Sequence, residues 1–201
     1  MTRTIDIRFQ SKLLFGGFLL MAFLGNLAHS ERLEYNLNQN LVIDLSQINE
    51  PKRWFIVNDG VMGGRSVSSF QADKDSAKFS GEISLDNNGG FSSVYRPLSN
   101  FNSAFKKVTI DIVGDGQTYQ IRTASNIQGY RVAYKHEFKT LPGENQTIEF
   151  QLDDFEATFR GRLISNAPKL TETEIREVGF LMTKKQPGEF ALQVNQIVFS
   201  K

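Results

Sequence analysis

The stretch KVTIDIV at residues 107–113 alternates apolar and polar side chains, so that three of its branched apolar residues share one face of an extended chain. The same period of two recurs in YRVAYKHEF at residues 130–138 and in TIEFQL at residues 147–152. Alternation of this kind is typical of β-strands with one face in the core and the other in solvent. These segments therefore predict a β-sheet protein.

Turn sequences separate the alternating segments along most of the chain. They are rich in Gly, Pro, Asn and Asp, the residues that turns favour, and they occur as DNNGG at 86–90, GDG at 114–116, LPGEN at 141–145 and QPGE at 186–189. About ten strands at this spacing, with no comparable helical period after the N-terminal segment, predict an all-β fold. The expected architecture is a single antiparallel β-sandwich of the jelly-roll type.

Two segments depart from plain alternation. In TETEIREV, Thr171 and Glu174 match a capping box and predict one helical turn. In the last strand, the apolar residues of 190–194 and those of 197–199 have opposite parity. A β-bulge at 195–196 would return both sets to the core, because a bulge inserts one extra residue into a strand.

The N-terminal segment, residues 1–30, reads as a targeting sequence. Three basic residues precede an uncharged apolar run at 13–28, and a small-x-small pattern ends at Ser30. The run is shorter than the roughly 20 residues of a spanning helix. We expect a cleaved signal peptide; an uncleaved membrane anchor and a mitochondrial-type presequence are the alternatives. Residues 31–40 then form a polar linker, and residues 41–201 form the domain.

The targeting segment sets the expected localisation. It is export to the periplasm, or anchoring at the outer face of the inner membrane through residues 13–28.

Composition limits how the domain is stabilised and what it binds. The chain has 201 residues and no cysteine, so its stability must come from core burial. Without residues 1–30, 20 basic residues face 21 acidic ones, which provides no basic field for nucleic acid.

Few residues could carry catalysis or hold a metal. His136 is the single histidine after residue 30, and with no cysteine it leaves no ligand set for zinc. No G-x-S-x-G elbow is present, and the adjacent carboxylates at 153–154 point to opposite faces of an extended chain. A structural calcium site at Asp59, Asp86 or Asp115 remains an alternative without a D-x-D-x-D-G run. We expect no enzyme, no cofactor and no metal.

The segment WFIVNDGVMGGRS at 54–66 combines a strong turn signal with apolar residues. Asp59 begins a turn with Gly60, and the pair Gly63-Gly64 permits positive φ or a close approach of another segment. We expect the apolar Val61-Met62 pair to insert into the edge of the sandwich, with Trp54 lying above it. A stiff corner of this kind could also present a recognition surface at one rim.

Five segments together resemble the complex I intermediate-associated protein 30 family. They are WFIVNDGVMGGRS at 54–66, FSGEISLDNNGGFSSV at 79–94, YQIR at 119–122, FQLDDFEATFRGR at 150–162 and IREVGFLM at 175–182. The resemblance implies a galactose-binding-like β-sandwich. It also implies kinship with assembly factors that act on membrane-arm intermediates of NADH:ubiquinone oxidoreductase, and with plastid proteins of photosystem biogenesis. The N-terminus favours an exported bacterial member.

The leading hypothesis is a non-catalytic binding module that binds another protein, such as a membrane protein, or assists its assembly. Its candidate rim residues are Trp54, Asn58, Asp59, Met62, Arg65, Phe91, Arg122, Arg160 and Arg162. The structural positions of the motifs are Gly60, Gly63, Gly64, Ser66, Gly89, Gly90 and Gly161. Such a rim would offer aromatic anchors and charge-assisted hydrogen bonds to a polypeptide.

The alternative hypothesis is an exported carbohydrate-binding domain. Trp54 or Tyr130 would stack on a sugar ring, while Asn87 and Arg122 would bond its hydroxyl groups. An enzyme that uses the aromatic face around His136 is the third class. We expect His136 instead to be a hydrogen-bonded side chain of the sheet.

Overall fold

The computed structural model describes residues 35–36, 40–99, 105–159, 161–184 and 186–201. The predicted targeting segment 1–30 and the candidate residue Arg160 lie outside this part of the chain. Within it, no helix is long and apolar enough to cross a membrane.

Fourteen strands make up most of the described chain, more than the ten expected. Several are too short to show a period in the sequence. In chain order they are β1 (Tyr35–Asn36), β2 (Asn40–Asp44), β3 (Phe55–Asn58), β4 (Val67–Asp73), β5 (Ser76–Ile83), β6 (Phe91–Pro97), β7 (Lys107–Val113), β8 (Thr118–Ile127), β9 (Tyr130–Lys139), β10 (Asn145–Gln151), β11 (Glu156–Phe159), β12 (Arg162–Leu163), β13 (Glu177–Thr183) and β14 (Gly188–Ser200). The helical elements are short 3-10 turns at Glu50–Arg53, Asp59–Met62, Asp86–Asn88, Leu152–Asp154 and Leu170–Glu172.

The strands form two antiparallel sheets of seven. In the first sheet, β14 pairs with β5 and β2 along one side and with β7 along the other. β4 lies outside β5, β1 outside β2 and β10 outside β7. The order of the second sheet is β12-β11-β9-β8-β13-β6-β3. The edge strands β3 and β4 are joined by one short connection, which brings the corner at 59–66 to the open side of the sandwich.

The core lies between the sheets and is rich in aromatic side chains. The apolar residues of β7 that alternate in the sequence, Val108, Ile110 and Ile112, are all fully buried. Tyr119, Tyr134, Phe79, Phe180 and Phe199 are the largest side chains that are fully buried. The prediction of an all-β sandwich built on period-two strands is therefore confirmed.

The predicted bulge in the last strand is also present. The pairing of β14 with β7 shifts between Val194 and Gln196, and both apolar sets of β14 are buried. The predicted capping box is wrong: the 3-10 turn begins at Leu170, with no side-chain cap. Thr171 instead donates its hydroxyl to Asp153, and Glu174 pairs with Arg176.

Candidate functional site

The corner between β3 and β4 is built around the carboxylate of Asp59, which is fully buried. Its Oδ1 accepts the backbone N–H of Ser66 at 2.9 Å, and its Oδ2 accepts the Ser66 hydroxyl at 2.5 Å. Oδ2 also accepts the backbone N–H of Gly90 at 2.7 Å and of Phe91 at 3.3 Å. We call these four residues the Asp59 anchor. It ties the turn at 59–62 to the residue before β4 and to the start of β6, and so joins the two sheets.

Two of the motif glycines make room for this carboxylate. A Cβ on Gly64 would lie 2.4 Å from Cγ of Asp59, and a Cβ on Gly89 would lie 2.6 Å from its Oδ2. Gly63 ends the 3-10 turn with φ of +90°, a conformation that costs glycine little. The expected close approach is therefore real, but the group that approaches is a side chain and not a second backbone segment.

Burial and hydrogen bonding have opposite effects on the pKa of Asp59. Burial raises the pKa of the carboxyl group, while the hydrogen bonds from Ser66, Gly90 and Phe91 lower it. The hydrogen bonds prevail, and the pKa of Asp59 lies below its usual value. Because all the donors serve the charged form, Asp59 is a structural anion and is not available to a partner.

Asn58 makes a second tie beside the anchor. Its Oδ1 accepts the hydroxyl of Ser68 in β4 at 2.9 Å and that of Ser92 in β6 at 2.7 Å. The amide oxygen thus also connects the two sheets. Asn58, predicted as a binding residue, thus has a structural role in this corner.

The structure contradicts the predicted place of Trp54. The side chain is 9% exposed and belongs to the core, with its ring centroid 4.6 Å from that of Phe70 and 6.3 Å from that of Phe180. Its indole N–H is buried without a hydrogen-bond partner. Trp54 packs between the sheets just before β3, at the end of that strand away from the corner, so it neither covers Val61-Met62 nor serves a ligand at the rim.

Val61 and Met62 also differ from expectation. They are 74% and 67% exposed, whereas the sequence suggested that they insert into the sandwich. The carboxylate of Asp59 occupies the interior of this corner, where it accepts the hydrogen bonds of the surrounding donors. The two apolar side chains consequently project into solvent from a turn that is held rigidly from below. We call Val61 and Met62 the apolar tip.

Other predicted rim residues surround the tip. Arg65 is exposed, and its Nη1 lies 3.5 Å from a carboxylate oxygen of Asp86. Asn87 donates its amide N–H to the carbonyl oxygen of Gly63 at 2.9 Å. Phe91 is half-buried, and its backbone N–H belongs to the Asp59 anchor. Met62, Arg65 and Phe91 are thus the predicted residues that remain near one surface.

The remaining predicted residues do not join that surface. Arg122 lies in β8, in the middle of the second sheet, and Arg162 lies in β12, at the edge opposite β3. Gly161, with φ of +78°, sits in the turn between β11 and β12. A single binding rim that includes both arginines is therefore wrong, because five strands separate β12 from β3.

The outer face of the second sheet is a polar surface on which the sequence singled out Arg122 but not the residues around it. Arg131 pairs with Glu177 at 2.5 Å and lies 5.0 Å from the centroid of the Tyr95 ring. The Nη1 of Arg122 donates to Oε1 of Gln120 at 2.8 Å. The polar residues at every second position of the alternating segments do predict a polar outer face. The order of the strands, which brings them together, has no local signal.

An open cleft of about 460 Å³ lies at the end of the β8–β9 hairpin. Tyr130 is 65% exposed beside it, with its ring perpendicular to that of Phe159 at 6.2 Å. The loop of Ile164, Ala167 and Pro168 forms the other wall. The hydroxyl of Tyr134 holds this loop by donating to the carbonyl oxygen of Pro168 at 2.8 Å.

The groups considered for catalysis and calcium are bonded within the fold. Nδ1 of His136 lies 2.9 Å from the carbonyl oxygen of Glu137, and its ring packs 5.0 Å from that of Phe150, as expected of a sheet side chain. Asp115 accepts hydrogen bonds from Tyr119 and from the backbone N–H of Ala191, among others. Among the described residues, no three His, Asp or Glu side chains converge so that they could hold a metal ion.

Comparison with protein families decides the relationship. The sequence profile of complex I intermediate-associated protein 30 matches residues 43–194. The chain belongs to the complex I intermediate-associated protein 30 family. A further relative is an uncharacterised protein of Schizosaccharomyces pombe, 26% identical, in an alignment that covers 74% of this chain and 80% of that protein.

Solved structures with a similar fold are carbohydrate-binding modules and parts of larger enzymes. The family 11 module of Clostridium thermocellum, in complex with a β-1,3-1,4-mixed-linked tetrasaccharide, has a TM-score of 0.59 at 14% identity, covering 81% of this chain and 95% of the module. The agarase AgWH50C has a TM-score of 0.53 at 12% identity, with 81% of this chain and 25% of the agarase covered. At such identities the likeness shows the fold, which is the expected galactose-binding-like jelly roll. Family and fold are consistent with a non-catalytic binding module.

Proposed function

We propose that this family member is a non-catalytic module that docks an apolar segment of a partner protein and so assists that protein's assembly. The observation that carries the proposal is the apolar tip: two large apolar side chains are exposed on a turn that a buried carboxylate holds in place. Apolar side chains on a turn whose backbone is already fixed favour association, because less backbone conformational entropy is lost when they bind.

The surroundings of the tip extend the same surface. Ile56 in β3 and Val67 in β4 are also exposed, on the two strands that the corner connects. Among the described strands, β3 pairs only with β6 and β4 only with β5, so each leaves one edge unpaired. An extended segment can add to such an edge through backbone hydrogen bonds while its side chains contact the tip.

The family and the N-terminal sequence support one class of partner. Members named as complex I intermediate-associated proteins support a partner that is itself an assembly intermediate, and such intermediates expose apolar segments before they are complete. The apolar run at 13–28 supports export, either to the periplasm or to the outer face of the inner membrane. We therefore propose a membrane-protein intermediate as the partner, met on that side of the membrane.

Substitution of the tip tests the proposal. The double variant Val61→Asp/Met62→Asp is expected to fold, because both side chains are exposed, and to lose at least about tenfold in partner capture, since charge replaces the apolar contact. The measurement is affinity capture from the native host with quantitative mass spectrometry, comparing each protein between baits. Leu163→Asp is the matched control, since Leu163 is similarly exposed at the far edge of the second sheet. Equal capture by the wild type and the tip variant would refute docking at this corner.

Carbohydrate binding is a second candidate, and the exposed ring of Tyr130 beside the open cleft favours it. Apolar sugar faces stack on such rings, and the similar family 11 module carries a tetrasaccharide. A glycan array with the wild-type domain should then give a signal that Tyr130→Ala abolishes. No sugar above background would remove this candidate.

A further inference from the structure

The outer face of the second sheet carries an arginine in an unusual setting. The strand register places Tyr95, Gly179, Arg122 and Lys135 in one row across β6, β13, β8 and β9. Gly179 has no side chain, and a Cβ there would lie 2.7 Å from Cδ1 of Tyr95. The Tyr95 ring therefore lies over Gly179 and reaches the side of Arg122.

Arg122 is bonded to neutral groups alone. Its Nη1 donates to Gln120, its Nη2 lies 3.4 Å from the hydroxyl oxygen of Thr158, and its Nε is buried with no partner. Burial lowers the pKa of Arg122, the neighbouring Tyr95 acts in the opposite direction, and the charge of Arg131 again lowers it. The net effect disfavours the cation, which an arginine nevertheless retains near neutral pH. A half-buried cation without a carboxylate is a costly arrangement that an anionic group relieves.

The charged side chains nearest to Arg122 on this face already have partners of opposite sign. Arg131 pairs with Glu177, and Nζ of Lys135 lies 3.2 Å from Glu156 and 3.8 Å from Glu137. Glu137 in addition accepts the amide N–H of Gln120 at 2.9 Å. Within this described cluster, Arg122 is thus the cation that has no carboxylate beside it. The part of the face around Arg122 therefore offers one place for a negative charge, beside three acids that repel further ones.

We propose that Arg122 binds the carboxylate of a single Asp or Glu in the segment that docks on the apolar tip. This inference rests on the proposed function and names the chemistry of the partner. Phe55, 42% exposed, lies opposite Tyr95 in the strand register with its ring 5.9 Å away, and β3 runs from Phe55 to the corner that carries the tip. Three strand spacings separate Phe55 from Arg122, or about 14 Å. Four or five extended residues cover that distance at about 3.3 Å each.

Charge complementarity favours a polypeptide over an acidic polysaccharide. A polyuronate carries a carboxylate on each ring, and its neighbouring charges would meet Glu177, Glu137 and Glu156. A mostly apolar segment with one acidic residue places a single charge on Arg122 and contacts Phe55 and the tip with the rest. The same arrangement selects against strongly acidic peptides.

Matched peptides test the inference. The probes are short synthetic peptides, each apolar with one Glu, and each compared with its Glu→Gln counterpart by fluorescence anisotropy on the wild-type domain. We expect the Glu peptides to bind roughly tenfold more tightly, as one charge-assisted hydrogen bond provides. Arg122→Gln should abolish the preference, while Lys107→Gln, an exposed cation paired with Glu149 in the first sheet, should keep it.

The outcomes separate this inference from the proposed function. If no peptide binds, or if Val61→Asp/Met62→Asp binds like the wild type, docking at the tip is refuted. If Glu and Gln peptides bind equally and the tip variant binds neither, docking stands and the role of Arg122 is refuted. Displacement of the peptides by oligogalacturonate that depends on Arg122 would overturn the polypeptide assignment.

The carboxylate site can also be tested on the wild-type protein, so that the result does not depend on whether Arg122→Gln folds. Titration with propionate should shift the Nε–H resonance of Arg122 in a saturable manner, because a carboxylate at the guanidinium changes its hydrogen bonding. Chloride at the same ionic strength should leave that resonance unchanged. A linear response shared by both salts would contradict a carboxylate site.

Discussion

Asn in place of Asp59 is expected to lower the free energy of unfolding by roughly 3–5 kcal/mol, because several buried donors lose a charged acceptor at once. The carboxylate receives four hydrogen bonds from Ser66, Gly90 and Phe91, and nothing but acceptor atoms fits the site. The amide group of Asn carries N–H donors in place of one oxygen, so on that side donors would face donors and no hydrogen bond could form. The change conserves volume, so the loss would measure the hydrogen bonds and the charge and not a cavity.

Denaturant unfolding followed by tryptophan fluorescence measures this loss. Trp54 is the single tryptophan of the chain and is buried in the core, so its emission reports the opening of the sandwich. Asp86→Asn is the control in the same corner. Asp86 is exposed and pairs with Arg65, and such a surface pair contributes about 0–1 kcal/mol. Similar stability of the two variants would contradict the structural role of the anchor.

Acid should remove the difference between the wild type and Asp59→Asn. The pKa of Asp59 is lowered in the folded protein, so the carboxylate contributes stability above its unfolded pKa of about 3.9. That contribution is lost as the pH falls through the folded value. The two stability curves should therefore be furthest apart at neutral pH and converge below about pH 4. Parallel curves across this range would show that Asp59 does not act through its charge.

The fold could be predicted from the sequence because its determinants are local. The period of two in β7 and β10 sets which side chains face the core, whereas in β9 the exposed Tyr130 and the buried Ala133 depart from it. The change of parity in β14 predicts the bulge. The corner at 59–66 was recognisable as a turn for the same reason. Its interior was not, because hydrophobicity alone favoured the burial of Val61 and Met62. The buried group is the carboxylate of Asp59, and the donors that permit this lie up to 32 residues away in the chain.

The predicted binding residues failed to converge for a different reason. Arg122, Arg162 and the corner are near neighbours only if their strands are adjacent, and strand order depends on long-range pairing. β13, which comes late in the chain, separates β6 from β8, and β12 lies at the far edge. The same pairing assembled the polar face around Tyr95 and Arg122 from segments that show nothing unusual in isolation.

Gly64→Ala is expected to destabilise the domain by about 3 kcal/mol, at the upper end for an overpacked site. The new Cβ would lie 2.4 Å from Cγ and 2.5 Å from Oδ1 of Asp59, far inside contact distance. The carboxylate cannot move aside, because each of its hydrogen bonds fixes its position between Ser66 and Gly90. Either the turn shifts or the anchor loses donors, and both outcomes cost stability. Thermal or denaturant unfolding of the purified domain measures the effect.

Gly60→Ala is the matched control, four residues away in the same corner. No atom lies within 4 Å of a Cβ on Gly60, and its φ is not positive, so alanine should change stability by no more than about 0.5–1 kcal/mol. A general intolerance of the turn to side chains would make both variants unstable. Specific crowding of the Asp59 carboxylate would affect Gly64→Ala alone. In the Asp59→Asn background, where the anchor is already weakened, Gly64→Ala should cost clearly less than in the wild type, and full additivity would refute the contact as the cause.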